Sequence, residues 1–76
     1  MVPRPRSPAR EALVRYEIGR RFFDEALYRD AAAELEWAYD LYRTAGRERL
    51  ARVCRQALQR AREVLAATCV TDCLSV

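Results

Sequence analysis

Three stretches of the chain carry apolar residues at helical steps, and only short intervals separate them. In the first, Leu13, Val14, Tyr16, Ile18, Phe22 and Phe23 punctuate a polar background. Residues three and four apart share one face of a helix, so the pattern predicts a helix over 8–23. Ser7 and Pro8 open it. A serine hydroxyl can accept from the first free N–H groups, and proline at the first helical position gives up a donor that has no partner there. Between 24 and 27 the apolar phase changes, which predicts a turn although no Gly or Pro marks it. The second helix is expected over 28–44. Leu27, Tyr28, Ala31, Leu35, Ala38 and Tyr42 form one stripe, and Ala33, Trp37 and Leu41 a second beside it. A helix apolar on two adjacent sides lies between two neighbours. Gly46 follows and suits a left-handed helix cap. The third helix is expected over 47–67, with Leu50, Val53, Cys54, Ala57, Leu58, Ala61, Val64 and Leu65 on one face. Arg49, Arg52, Arg55, Gln56, Gln59, Arg60, Arg62 and Glu63 fill the rest. Residues 1–7, rich in Pro and Arg, read as a flexible arm. Residues 68–76 read as a flexible Cys-containing tail. The expected architecture is all-α: three antiparallel helices with the second in the middle, as short loops between helices require.

Composition narrows what such a bundle does. At 76 residues the chain is one domain at most, and a chain this short buries only about 60% of its unfolded surface. No 18-residue apolar run is present, which excludes a membrane span. Net charge is +3, and all 14 basic residues are arginine. Lys, His and Asn are absent. The missing Lys and His remove the commonest general bases, Schiff-base amines and metal ligands. No Gly-rich phosphate loop occurs, and Ser/His or Cys/His pairs are impossible. The chain reads as a non-enzyme without a cofactor. Three cysteines, Cys54, Cys69 and Cys73, do not make a disulfide framework, and a reduced, cytoplasmic setting is expected. They are also too few, without His, for an ordinary zinc site, so no metal is expected. Cys54 belongs to the apolar face of the third helix and reads as packing.

The segment from Arg15 to about Thr44 carries a further pattern. Ile18-Gly19 is a large apolar residue followed by Gly, with the aromatic Phe22 three residues on. Tyr28 opens the second helix, Ala31 follows after three, Leu35 after four more and Ala38 after another three. This spacing resembles one tetratricopeptide repeat, a helix–turn–helix unit of about 34 residues. Gly19, Ala31 and Ala38 would let two backbones approach, while Phe22, Tyr28 and Leu35 fill the gaps beside them. Arg15 stands where the motif prefers Trp, Arg43 where it prefers Pro, and Ala26 where Gly is usual. Val53 and Gln56 occupy the next Gly and aromatic positions, so the third helix does not open a second repeat. Its polar outer face instead looks like the helix that caps such arrays.

The resemblance implies a scaffold that holds a helix or peptide in a groove lined by the first helix. Leu13, Tyr16, Arg20 and Phe23 would face that groove, with Asp24 at the rim. Some members clamp a C-terminal carboxylate with Lys and Asn, both missing here, and Arg20 could substitute in part. One repeat and a cap fall short of the three or more such stacks need, so self-association or docking on a partner is expected. Protein–protein binding or assembly, with homodimerisation as its simplest form, is the reading the sequence supports best. Trp37 is expected to pack against the third helix, with a surface anchor as the alternative. A second function class is a small nucleic-acid binder contacting phosphates through Arg52, Arg55, Gln59 and Arg62. A third is a precursor peptide in which Thr68, Cys69, Thr71, Cys73 and Ser75 are modified.

Overall fold

A computed structural model describes the backbone of residues 7–74 and the side chains of residues 7–67. Three helices follow one another: α1 (Pro8–Asp24), α2 (Tyr28–Thr44) and α3 (Glu48–Leu74). No strand occurs among the described residues. The first two helices fall where the apolar periodicity puts them. The expected arm lies, apart from Ser7, outside the described residues.

α3 runs seven residues past the expected end at 67, through the stretch expected to be a flexible tail. The reason is the absence of any stop signal. No Gly or Pro follows Gly46, and β-branched Val70 and Thr71 cost a helix only a few tenths of a kcal/mol each. The side chains of Cys69 and Cys73, and of the whole 68–76 segment, lie outside those described, as does the precursor-peptide reading that rests on them. Ser7 does occupy the N-cap of α1, with Pro8 first in the helix, but its hydroxyl makes no capping hydrogen bond. What joins the cap to the helix is the backbone bond from the Glu11 N–H to the Ser7 carbonyl, 3.1 Å.

The two turns share one hydrogen-bond pattern. At the end of α1, the Ala26 N–H donates to the Phe23 carbonyl (3.0 Å) and the Leu27 N–H to the Phe22 carbonyl (2.8 Å). At the end of α2, the Gly46 N–H donates to the Arg43 carbonyl (3.0 Å) and the Arg47 N–H to the Tyr42 carbonyl (2.8 Å). Both are Schellman closures, which need a left-handed residue just past the helix. Gly46 takes that conformation at φ +74, and Ala26 takes it at φ +63. Glycine adopts it freely, whereas an alanine pays about 1 kcal/mol or more for its Cβ.

α2 packs against both other helices. Its buried stripe is Ala31, Leu35, Ala38 and Tyr42. Ala12 from α1 and Ala51 and Cys54 from α3 meet Ala38 and Tyr42 in one cluster. Small residues set the spacing. A Cβ on Gly19 would lie 2.9 Å from Leu35 Cγ and 3.4 Å from the Ala31 carbonyl oxygen, so α1 approaches α2 at a distance only glycine allows. Phe23 and Tyr28 close the hairpin end with an edge-to-face contact, centroids 5.1 Å apart at 80°. Burial pushes the Cys54 thiol from 9.0 up to about 11. Tyr42 is also raised, chiefly by burial and then by the charges of Cys54, Tyr16 and Glu17.

Two expectations about apolar faces change. The Ala33–Trp37–Leu41 stripe does not meet α3. Trp37 is 46% exposed and stays on the α1 side, beneath Arg15, whose guanidinium carbon lies 3.8 Å from the ring centroid. The helical phase explains this, because the α3 side of α2 is the one holding Glu36, which pairs with Arg62 of α3 at 3.6 Å. On α3, Leu50 and Val53 belong to the expected apolar face, yet they remain 44% and 41% exposed. They lie on the edge of that face that turns away from α2.

Candidate functional site: two clefts flanking α3

Short turns make α1 and α3 parallel, each antiparallel to α2. They leave a cleft between them of about 260 Å³. Tyr16, Arg20, Phe23 and Asp24 of α1 form one wall, Ala57 and Arg60 of α3 the other, and Leu35 of α2 the floor. Leu35 is held there by the glycine opposite it and is itself 1% exposed. The wall residues of α1 recur at steps of four, three and one, which keeps them on one side of the helix. Leu50 and Val53 precede Ala57 at steps of three and four, so they share its side of α3, and Arg60 follows on the same wall.

Four of the five residues expected to face a partner, Tyr16, Arg20, Phe23 and Asp24, therefore border one cleft. Leu13 does not. It is 51% exposed on the outer side of α1, beside Val14, Glu17, Ile18 and Arg21. Leu13 stands nearly one turn before Tyr16, where the α1 wall of the cleft begins. Leu35, Ala57 and Arg60 are not among the residues expected from the sequence to face a partner. Ala57 and Arg60 are three apart on the apolar margin of α3, a signal that acquires meaning only once α1 and α3 lie side by side. The Arg20 guanidinium sits 5.9 Å from the Tyr16 ring centroid. Neither Arg20 nor Arg60 makes an ion pair within the described residues.

Arg15 has a structural task. Its Nη1 donates to Glu34 Oε2 at 3.2 Å, its Nη2 lies 3.9 Å from Glu11 Oε1, and its guanidinium covers Trp37. It thus latches α1 to α2 with an ion pair and a stacked face, a combination suited to a planar guanidinium.

The expected phosphate contacts do not gather as a set. Arg52 and Arg55 border a second cleft, of about 330 Å³, on the α2–α3 face. Arg62 is engaged by Glu36. Gln59 is exposed and borders neither cleft. The second cleft instead recruits Tyr39, Arg43, Glu48 and Ala51. Among the described residues, no group of three His, Cys, Asp or Glu side chains is placed to hold a metal ion. Among the described residues, no helix is long and apolar enough to cross a membrane.

The fold and the clefts define an all-α three-helix bundle with an apolar groove on one face and a basic one on another. Comparison with protein-family models, with curated proteins and with solved structures finds no match.

Proposed function

We propose that this chain is a protein-interaction module, built on a tetratricopeptide-like hairpin and a capping helix, that assembles through the α1–α3 cleft. The observation that carries the reading is the cleft itself, with an aromatic wall over an apolar floor, together with half-exposed Leu50 and Val53 on the same side of α3. The close approach at Gly19 and the left-handed Ala26 support the hairpin likeness. The mechanism is burial of this surface against a helix, with Arg20 and Arg60 fixing register by pairing with carboxylates. A buried apolar area is worth about 25 cal/mol per Å² before the costs of association.

The occupant we assign is a second copy of the chain. A twofold dimer lays one patch against itself, and Asp24 at the rim offers a carboxylate to Arg20 of the other copy. The test is solution mass by light scattering over a wide concentration range at low and high salt. A dimer that persists at high salt is expected, because apolar burial is not screened. A monomer at every concentration overturns the assignment.

A further inference from the structure

Arginines on the α2–α3 face show a division that the assembly reading does not use. Arg62 is neutralised by Glu36, and Arg15 on the other flank of α2 is neutralised by Glu34 and Glu11. Arg43, Arg52 and Arg55 border one cleft together, and none of them has an ion-pair partner within the described residues. Like charges repel, so three unpaired guanidiniums around one hollow are unfavourable unless something offsets them. Glu48 is the single carboxylate bordering the same cleft, and it reaches none of the three within ion-pair distance. Arg55 also borders the adjoining hollow beside Glu36 and Asp40, again without an ion pair.

The arrangement is positioned by the fold. Arg52 and Arg55 are three apart on α3, so they project from one side of it. Arg43 comes from the last turn of α2 and is placed over the Tyr39 ring, 5.6 Å from its centroid. The half-buried ring restricts where that guanidinium can go. Ala51 is buried at the base and leaves the space open.

We propose that Arg43, Arg52 and Arg55, arranged around Tyr39, form an oxyanion site that takes phosphate groups. Guanidinium forks bind phosphate oxygens bidentately and stay charged at any ordinary pH. The site lies on the opposite side of α3 from the apolar cleft, so it does not depend on the assembly reading. The phosphate is either free or one of a series along a nucleic-acid backbone. The two sources differ in salt dependence and in strength. Neutralising three phosphates of a single strand gives a slope of about −2 in log K against log salt.

The experiment uses the full chain in two arms. In the first, inorganic phosphate is titrated while backbone and arginine side-chain NMR signals are followed, with chloride at matched ionic strength as the reference. Saturable shifts at Arg43, Ala51, Arg52 and Arg55 are expected. In the second, a short labelled oligothymidylate is titrated by fluorescence anisotropy at several salt concentrations. Tighter binding than phosphate, with the slope above, assigns the site to a nucleic-acid backbone. Binding no tighter than phosphate assigns it to a free anion. R52Q/R55Q should weaken whichever ligand binds by about tenfold or more, given the strength of charge-assisted contacts. R21Q/R29Q removes the same charge from exposed positions elsewhere and should change little. The proposal is overturned if phosphate shifts nothing beyond chloride, or if the two double variants lose binding equally.

Discussion

The two hairpins of this protein share the central helix and the same turn geometry, and they are held together by different means. The α1–α2 hairpin closes through a left-handed alanine, a glycine with no room for a methyl group, and an arginine latched to Glu34 over Trp37. The α2–α3 hairpin closes through a left-handed glycine with open space around it, and through Ala51, Cys54, Leu58 and Ala61. One junction is tight and specific, with a cost at Ala26. The other has a turn without that cost and no glycine in its helix contact. The specific junction is also the one that aims Tyr16, Arg20 and Phe23 at the first cleft. The left-handed alanine therefore stands in the same hairpin that places the α1 wall of the first cleft.

The comparison can be broken most severely at Leu35, which fills the α1–α2 contact and floors the cleft. Leu35→Ala should cost about 2–5 kcal/mol in denaturant unfolding, the range for a buried leucine. Gly19→Ala brings a methyl group to within 2.9 Å of the same side chain. Overpacking costs about 1–3 kcal/mol and outweighs the gain of roughly 1 kcal/mol in helix propensity. The loss should shrink in a Leu35→Ala background, because the two changes share one space. An unchanged loss would show that α1 does not rely on that approach.

The α2–α3 side offers a test by pH. The folded-state pKa of Cys54 is raised, so the protonated thiol favours folding. That contribution is complete below pH 9 and is lost as pH rises toward about 11. Unfolding free energy should fall over this window by about 3 kcal/mol, with Tyr42 adding in the same direction. Cys54→Ala should flatten the part due to the thiol. A profile identical in the variant would remove Cys54 as its source.

The smallest effects compare the turns directly. Ala26→Gly should stabilise by up to about 1 kcal/mol, less the entropy that glycine adds to the unfolded chain, whereas Gly46→Ala should destabilise by a similar amount. Opposite signs at two positions with matching hydrogen bonds would establish that backbone conformation decides both. Arg15→Ala belongs at the same scale, about 1 kcal/mol for a part-buried ion pair and a stacked ring. It should also alter the emission of Trp37, the single tryptophan.

Much of this fold is legible in the sequence. Apolar residues at steps of three and four reveal the helices, and Gly19, Ala31 and Ala38 reveal the tight hairpin. Trp37 departs from the packing against α3 that its stripe suggests, because a stripe shows that a surface is apolar without showing which neighbour meets it. A planar guanidinium satisfied the ring in place of α3. α3 runs past its expected end because the apolar period fades after Leu65 without any residue that breaks a helix. The site was legible on one wall only. Tyr16, Arg20, Phe23 and Asp24 share a helix and can be grouped by spacing, but Ala57, Arg60, Tyr39 and Arg43 join their clefts through contacts between helices.

The most direct test of the account adds a third arginine to the apolar cleft. Ala57→Arg projects a long charged side chain between Arg20 and Arg60 at a position that tolerates a good helix former. Solution mass is then measured for the variant and the unaltered chain at the same concentration in high salt. The account predicts a dimer for the unaltered chain and a monomer of equal helicity for the variant. Two dimers of equal strength would contradict it, because the cleft would then not be the surface through which the copies meet.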